Sequence, residues 1–104
     1  MSVAQVQWQR DGLFQVSGDL SFDTVPEVWR QSQGLFRDHP HLEIDLHGVL
    51  RVDSSAVALL LEWLADARRD RQSIAYLNPP AALLDIARVS SACQLLPLRP
   101  QDGH

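Results

Sequence analysis

The sequence is poor in the features that usually announce a chemistry. Its one cysteine, Cys93, has no intramolecular partner, so no disulfide framework is available and a reducing compartment is the natural setting. No partner motif surrounds it, and the expected role is that of a small buried hydrophobe rather than a reactive thiol. The longest unbroken apolar run, Ala56 to Leu61, is far short of a membrane span. The opening "MSVAQVQWQRDG" lacks the apolar core of a signal peptide, so the expected location is the cytoplasm, without direct membrane insertion. Excess positive charge is missing too. The net charge is −4, and the cluster Arg68, Arg69 and Arg71 is interrupted by Asp66 and Asp70. Cations at a helix C-terminus explain that cluster better than a nucleic-acid footprint does.

Catalytic motifs are equally scarce. There is no Gly-rich phosphate loop with a following Lys, no His-Glu-x-x-His, no Cys pair at zinc spacing and no Gly-x-Ser-x-Gly elbow. His39 and His41 flank Pro40 at a spacing that can hold a metal on an extended chain, but a solvated loop before a strand is the commoner arrangement. His47 follows "IDL" in an expected turn and has no evident partner. Asp53, Ser54 and Ser55 have the atoms for acid-base or nucleophilic work, yet nothing nominates the base and orienting group that a catalytic serine needs. The sequence is therefore read as a non-enzyme, with no cofactor and no metal.

What is present is an ordinary globular composition. Apolar residues make up 45% and charged residues 21% of 104 residues, enough for one core and one domain over 1–104. "AQVQWQR" and "LFQVSG" alternate apolar and polar residues around Asp-Gly, which predicts a hairpin. "SFDTVPEVWRQSQGLFRDH" predicts a helix capped by Thr24 or Asp23, with Pro26 in its first turn and Val25, Val28, Trp29 and Phe36 on one face. "HLEIDL" and "SIAYLN" read as short strands, and "PPAALLDIARVSS" as a helix with Leu83, Ile86 and Ala87 inward. "CQLLPLRP" offers a short last strand. Helices alternating with short apolar strands predict an α/β fold: a mixed sheet of four or five strands, parallel in its second half, with three or four helices packed on it.

One stretch stands apart: "IDLHGVLRVDSSAVALLLEWLADARRDR". Asp and Ser are favoured helix caps, and a cap alone explains "DSS". The helix that follows is richer in apolar residues than one core stripe requires. At about 100° per residue from Ser55, Val57, Leu60, Leu61, Leu64 and Ala67 form the core stripe, and Glu62, Asp66 and Arg69 form the wet face. Leu59 and Trp63 fall on the flank, at about 40° and 80°. The reading adopted is an interface anchor, Trp being a favoured hot-spot residue; the alternative is that Trp63 tucks against a neighbouring helix. A phosphate on a serine at this helix N-terminus is compatible with the helix dipole and adds negative charge to a surface already holding Glu62 and Asp66.

These residues carry a resemblance. "IDLHGV" followed by "RVDSSAVALLLEWLADAR" is similar to the signature of the STAS domain; "SGDLSFDTVPEVW" resembles that family's approach to its first helix, and "LNPPAALLDIARVSSACQLLPL" its closing strand, helix and tail. The resemblance implies the STAS fold and one of two roles. Likeness to the small STAS subunit of the Mla phospholipid transporter rests on "TVPEVW" and "ALLLEWLADARR". It implies a cytoplasmic accessory subunit, peripheral to a Gram-negative inner membrane, that binds the ABC ATPase and reaches the permease indirectly. Likeness to anti-sigma-factor antagonists implies instead a switch worked by serine phosphorylation. The first nominates Ser54 as the key hydroxyl, the second Ser55, with Asp53 completing the motif. Both branches usually carry Gly after the hydroxyl pair, where this chain has Ala56 and then Val57, so a methyl group is expected where a partner would meet bare backbone.

Overall fold

Alternation of side chains along the strands decides how this chain layers itself. In the computed structural model, which describes residues 4–99, strand β1 (Gln5–Arg10) and strand β2 (Leu13–Leu20) form the expected antiparallel hairpin. Gly12 makes the turn at φ 77°, and a Cβ there would lie 2.5 Å from the His41 carbonyl oxygen, so only glycine fits. Helix α1 (Val25–Leu35) then returns the chain for strand β3 (His41–Val52). Helix α2 (Ser54–Arg69), strand β4 (Ser73–Leu77), helix α3 (Ala81–Val89), a 3-10 turn (Ala92–Gln94) and strand β5 (Leu98–Arg99) follow. The sheet order is β1-β2-β3-β4-β5, with every pairing after the hairpin parallel, as a chain that crosses over through helices requires. Among the described residues the fold has five strands and three α-helices, as the resemblance drawn from the sequence leads one to expect.

Register places Phe14, Ile44 and Tyr76 side by side, and all three are fully buried. On β3, Leu42, Ile44 and Leu46 are buried while His41, Glu43 and His47 are exposed, so helices cover one face of the sheet and the other is open. The core joins that row to Val28 of α1, Leu60, Trp63 and Leu64 of α2, and Leu83 and Ala87 of α3. Cys93 is half-buried and packs against the same cluster.

Strand β3 departs from the sequence reading. It runs on through His47 to Val52, so His47 lies in a strand rather than a turn. Pairing with β4 stops at Asp45↔Leu77, and the rest of β3 pairs with β2 alone. There the register slips from Gln15↔Asp45 to Ser17↔Gly48, an irregularity that lets β3 carry more residues than its partner. Gly48 marks the slip: a Cβ on it would lie 3.0 Å from the Ser17 Cβ.

The loops are fastened by side chains. Thr24 stands at the N-cap position of α1 but makes no side-chain cap; its Oγ1 accepts the Ser21 N–H at 3.0 Å and donates to the Asp19 carbonyl, closing the turn before the helix. Gln72 donates from Nε2 to the carbonyls of Phe36 (2.7 Å) and His39 (2.8 Å), tying the α2–β4 loop to the α1–β3 loop. His39 and His41 part company. His39 sits edge-on to Phe14 with Nδ1 3.3 Å from Asp11 Oδ1, and His41 Nδ1 lies 2.8 Å from Ser73 Oγ. Arg69 pairs with Asp66 and Asp70, as a helix C-terminus favours.

Candidate functional site

Asp53 leaves β3 in an extended conformation (φ −129°, ψ −170°) and caps α2. One carboxylate oxygen, Oδ1, accepts both the backbone N–H of Ser55 (2.8 Å) and, in a short contact, the Ser55 hydroxyl. The other, Oδ2, accepts the Phe22 N–H at 3.1 Å, which ties the β2–α1 loop to the foot of α2. The hydroxyl of Ser55 does most to hold the Asp53 carboxyl below its ordinary value; burial opposes it, and the backbone amides of Ser55 and Phe22 add smaller lowering effects.

This closed arrangement separates the two serines. Ser55 is only 8% exposed and its hydroxyl faces Asp53. Ser54 is exposed. Ser54 is therefore the accessible hydroxyl of the pair, and the Ser55 hydroxyl is engaged by Asp53. Ala56 and Val57 are buried, and the Ala56 methyl points into the core rather than toward a visitor. The departure from the usual Gly therefore leaves the surface of the motif unchanged.

The place of Leu59 and Trp63 is corrected. Each is 2% exposed, so neither projects as an anchor: Trp63 belongs to the core, and Leu59 meets the surface only at the base of a groove between α1 and α2. Trp63 donates its indole N–H to Ser32 Oγ of α1 at 2.8 Å, meets Phe36 edge-on at 5.2 Å and stacks against Tyr76 at 6.5 Å. The Tyr76 hydroxyl donates to the Leu60 carbonyl at 2.6 Å, and burial raises its pKa well above the ordinary value. The flank that a single-helix wheel leaves half-wet is covered by α1. The exposed ridge of α2 consists instead of Ser54, Ala58, Glu62, Ala65 and Arg69.

Other residues supply the exposed apolar surface at this end of the molecule. Phe22, held near the motif by the hydrogen bond its backbone N–H donates to Asp53, is 72% exposed, and Leu50 near the end of β3 is 74% exposed. Between α1 and α2 runs a groove of about 360 Å³ lined by Val25, Pro26, Trp29, Ala58, Leu59 and Glu62. Phe22 lies in a loop with no periodicity to flag it. Leu50 belongs to a strand extension whose slipped register hides which face each residue takes. Among the described residues no group of three His, Cys, Asp or Glu side chains is placed to hold a metal ion.

Two solved structures share this architecture. An anti-sigma-factor antagonist from Mycobacterium paratuberculosis superposes with a TM-score of 0.73 at 20% identity, over 97% of this chain and 87% of the other. The anti-sigma-factor antagonist SpoIIAA in its unphosphorylated form gives 0.73 at 15% identity, over 97% and 90%. At such identities the likeness is one of fold. No curated relative matches the chain. The family model described as "Mlab, STAS domain" matches residues 4–97, which span the hairpin, the capped helix α2 and the closing helix. The chain belongs to the STAS domain family.

Proposed function

We propose that the chain is a non-catalytic binding module, the cytoplasmic accessory subunit of an ABC-type phospholipid transporter concerned with the lipid asymmetry of the outer membrane. In this reading it binds the ATPase subunit with the Ser54 end of α2, stabilises or tunes the assembly, and meets the permease and the inner membrane only through that partner. The observation that carries the reading is the division of the motif. Asp53 and Ser55 close on each other as a structural cap, while Ser54 stands exposed. A catalytic serine requires a base beside its hydroxyl; here the Ser55 hydroxyl is engaged in a helix cap and what remains outside is a surface. The description of the matching family model, which names Mlab, supports the transporter over other settings. No helix among the described residues is long and apolar enough to cross a membrane, in keeping with attachment through a partner.

The alternative, an anti-sigma-factor antagonist switched by phosphorylation, is supported by the fold of the two solved structures and by one local feature. The exposed Ser54 hydroxyl sits at a helix N-terminus, where the dipole favours a phosphate. A tagged pull-down from native cells in mild detergent separates the two. An ABC ATPase with its permease, recovered with the wild-type chain and lost with Ser54→Arg, is the expected result. A serine kinase or a sigma-factor regulator in their place assigns the chain to the alternative.

A further inference from the structure

We propose that the groove between α1 and α2 receives a basic amphipathic helix of the partner protein, seating one apolar side chain over Leu59 beside Trp29 and pairing a cation with Glu62. This rests on the binding-module reading above and specifies the chemistry of the surface that such a module recognises. Both walls of the groove are helices. Val25, Pro26 and the half-buried Trp29 form one, and Ala58, Leu59 and Glu62 the other. Neither wall carries an unpaired strand edge, so main-chain pairing with an extended peptide has no template here, whereas side-chain ridges accept a third helix. Ala58 keeps the middle of the α2 wall low, and Leu59 forms an apolar floor. From Ser54 to Glu62 the ridge extends about 12 Å, a little over two helical turns.

Charge decides what else the occupant carries. Glu27, Glu43, Asp66 and Asp85 each have an arginine within ion-pair distance. Glu62 lines the groove, is exposed, and has no ion pair among the described residues. Asp23, just before α1, is also exposed, and the chain as a whole carries −4. A second copy docking here through a two-fold axis would bring two such acidic rims together, and anionic lipid headgroups would meet the same repulsion. A partner helix with Arg or Lys one turn from its apolar anchor meets complementary charge instead.

The test places a photo-reactive phenylalanine analogue in the full chain in place of Ala58 or, separately, Leu50. Cells are irradiated and the captured peptide is sequenced by mass spectrometry. The expected capture from position 58 is a helical segment of another protein carrying Arg or Lys, whose dissociation constant rises about tenfold with Glu62→Lys and recovers when the partner's cation is reversed to Glu. Capture from position 58 of a second copy, of lipid, of a segment without a basic residue, or of nothing overturns the groove assignment. If Leu50 then captures an ABC ATPase while position 58 captures nothing, the accessory-subunit reading stands and only the groove falls. If position 58 captures a basic helix of a sigma-factor kinase, the groove stands and the transporter reading falls.

Discussion

The indole N–H of Trp63 donates to the hydroxyl of Ser32 at 2.8 Å, and that hydroxyl donates in turn to the Trp29 carbonyl at 2.7 Å, so a buried relay fastens α2 to α1. The relay sets the separation of the two helices that wall the groove. Trp63→Ala is expected to cost about 3–5 kcal/mol through lost packing and a cavity against Phe36 and Tyr76. Ser32→Ala, which orphans the indole N–H, is expected to cost about 1–3 kcal/mol. Urea unfolding followed by tryptophan fluorescence and circular dichroism measures both. A Trp63→Ala chain as stable as wild type would mean that the side chain is not packed as described.

Removing the Asp53 cap has a different signature. Asp53→Ala is expected to lose about 0.5–2 kcal/mol, the usual range for an N-cap, while Asp53→Asn keeps an acceptor and loses less. The carboxyl is held below its ordinary value near 3.8 chiefly by the Ser55 hydroxyl and then by two backbone amides. With the folded-state pKa lower than the unfolded one, protonation favours unfolding. The contribution is complete above about pH 4–5 and declines as pH falls through the unfolded and then the folded pKa. Stability measured between pH 6 and pH 3 should therefore fall more steeply for wild type than for Asp53→Asn, and identical slopes would remove Asp53 from the account.

The two serines should part under the same substitution. Ser54→Asp puts a carboxylate on an exposed first-turn position, where the helix dipole favours it, so the melting temperature should stay within a few degrees of wild type. Ser55→Asp puts a second carboxylate against Asp53 in a nearly buried position and should destabilise the fold itself. Thermal melts of both variants decide it. Equal melting temperatures for the two would show that the serines are not divided into an outer and an inner one.

What the sequence could reveal followed from local period. Asp-Gly between two alternating runs led to the hairpin, and apolar residues at helical spacing led to α1, α2 and α3. The core residues Val28, Leu60, Leu64 and Leu83 came from the same rule. Period fails wherever burial depends on a second element. Trp63 and Leu59 lie on a flank that only the arrival of α1 covers. Phe22 and Leu50 remain exposed because a loop bond to Asp53 and a slipped register at Gly48 orient them, and neither leaves a periodic trace. The choice between Ser54 and Ser55 required knowing which hydroxyl Asp53 takes. Residues 1–3 and 100–104, the ends of the expected single domain, lie outside the described residues.

The free edge of the sheet supplies the last prediction. In an antiparallel pair alternate residues of the outer strand turn their amides away from the partner, where another chain can pair with them. On β1 the Val6 N–H is met by Gln31 Oε1 of α1 at 3.0 Å, so a side chain from the helix occupies one position of that edge. Trp8, farther along the same strand, is largely exposed, which makes the edge attractive to a second copy once the cap is gone. Gln31→Ala should raise self-association in concentration-dependent sedimentation, whereas Gln31→Glu, which still presents an acceptor to Val6, should behave like the unaltered chain. If both variants sediment as the unaltered chain does, β1 is protected by its bulge between Trp8 and Arg10 and not by the glutamine.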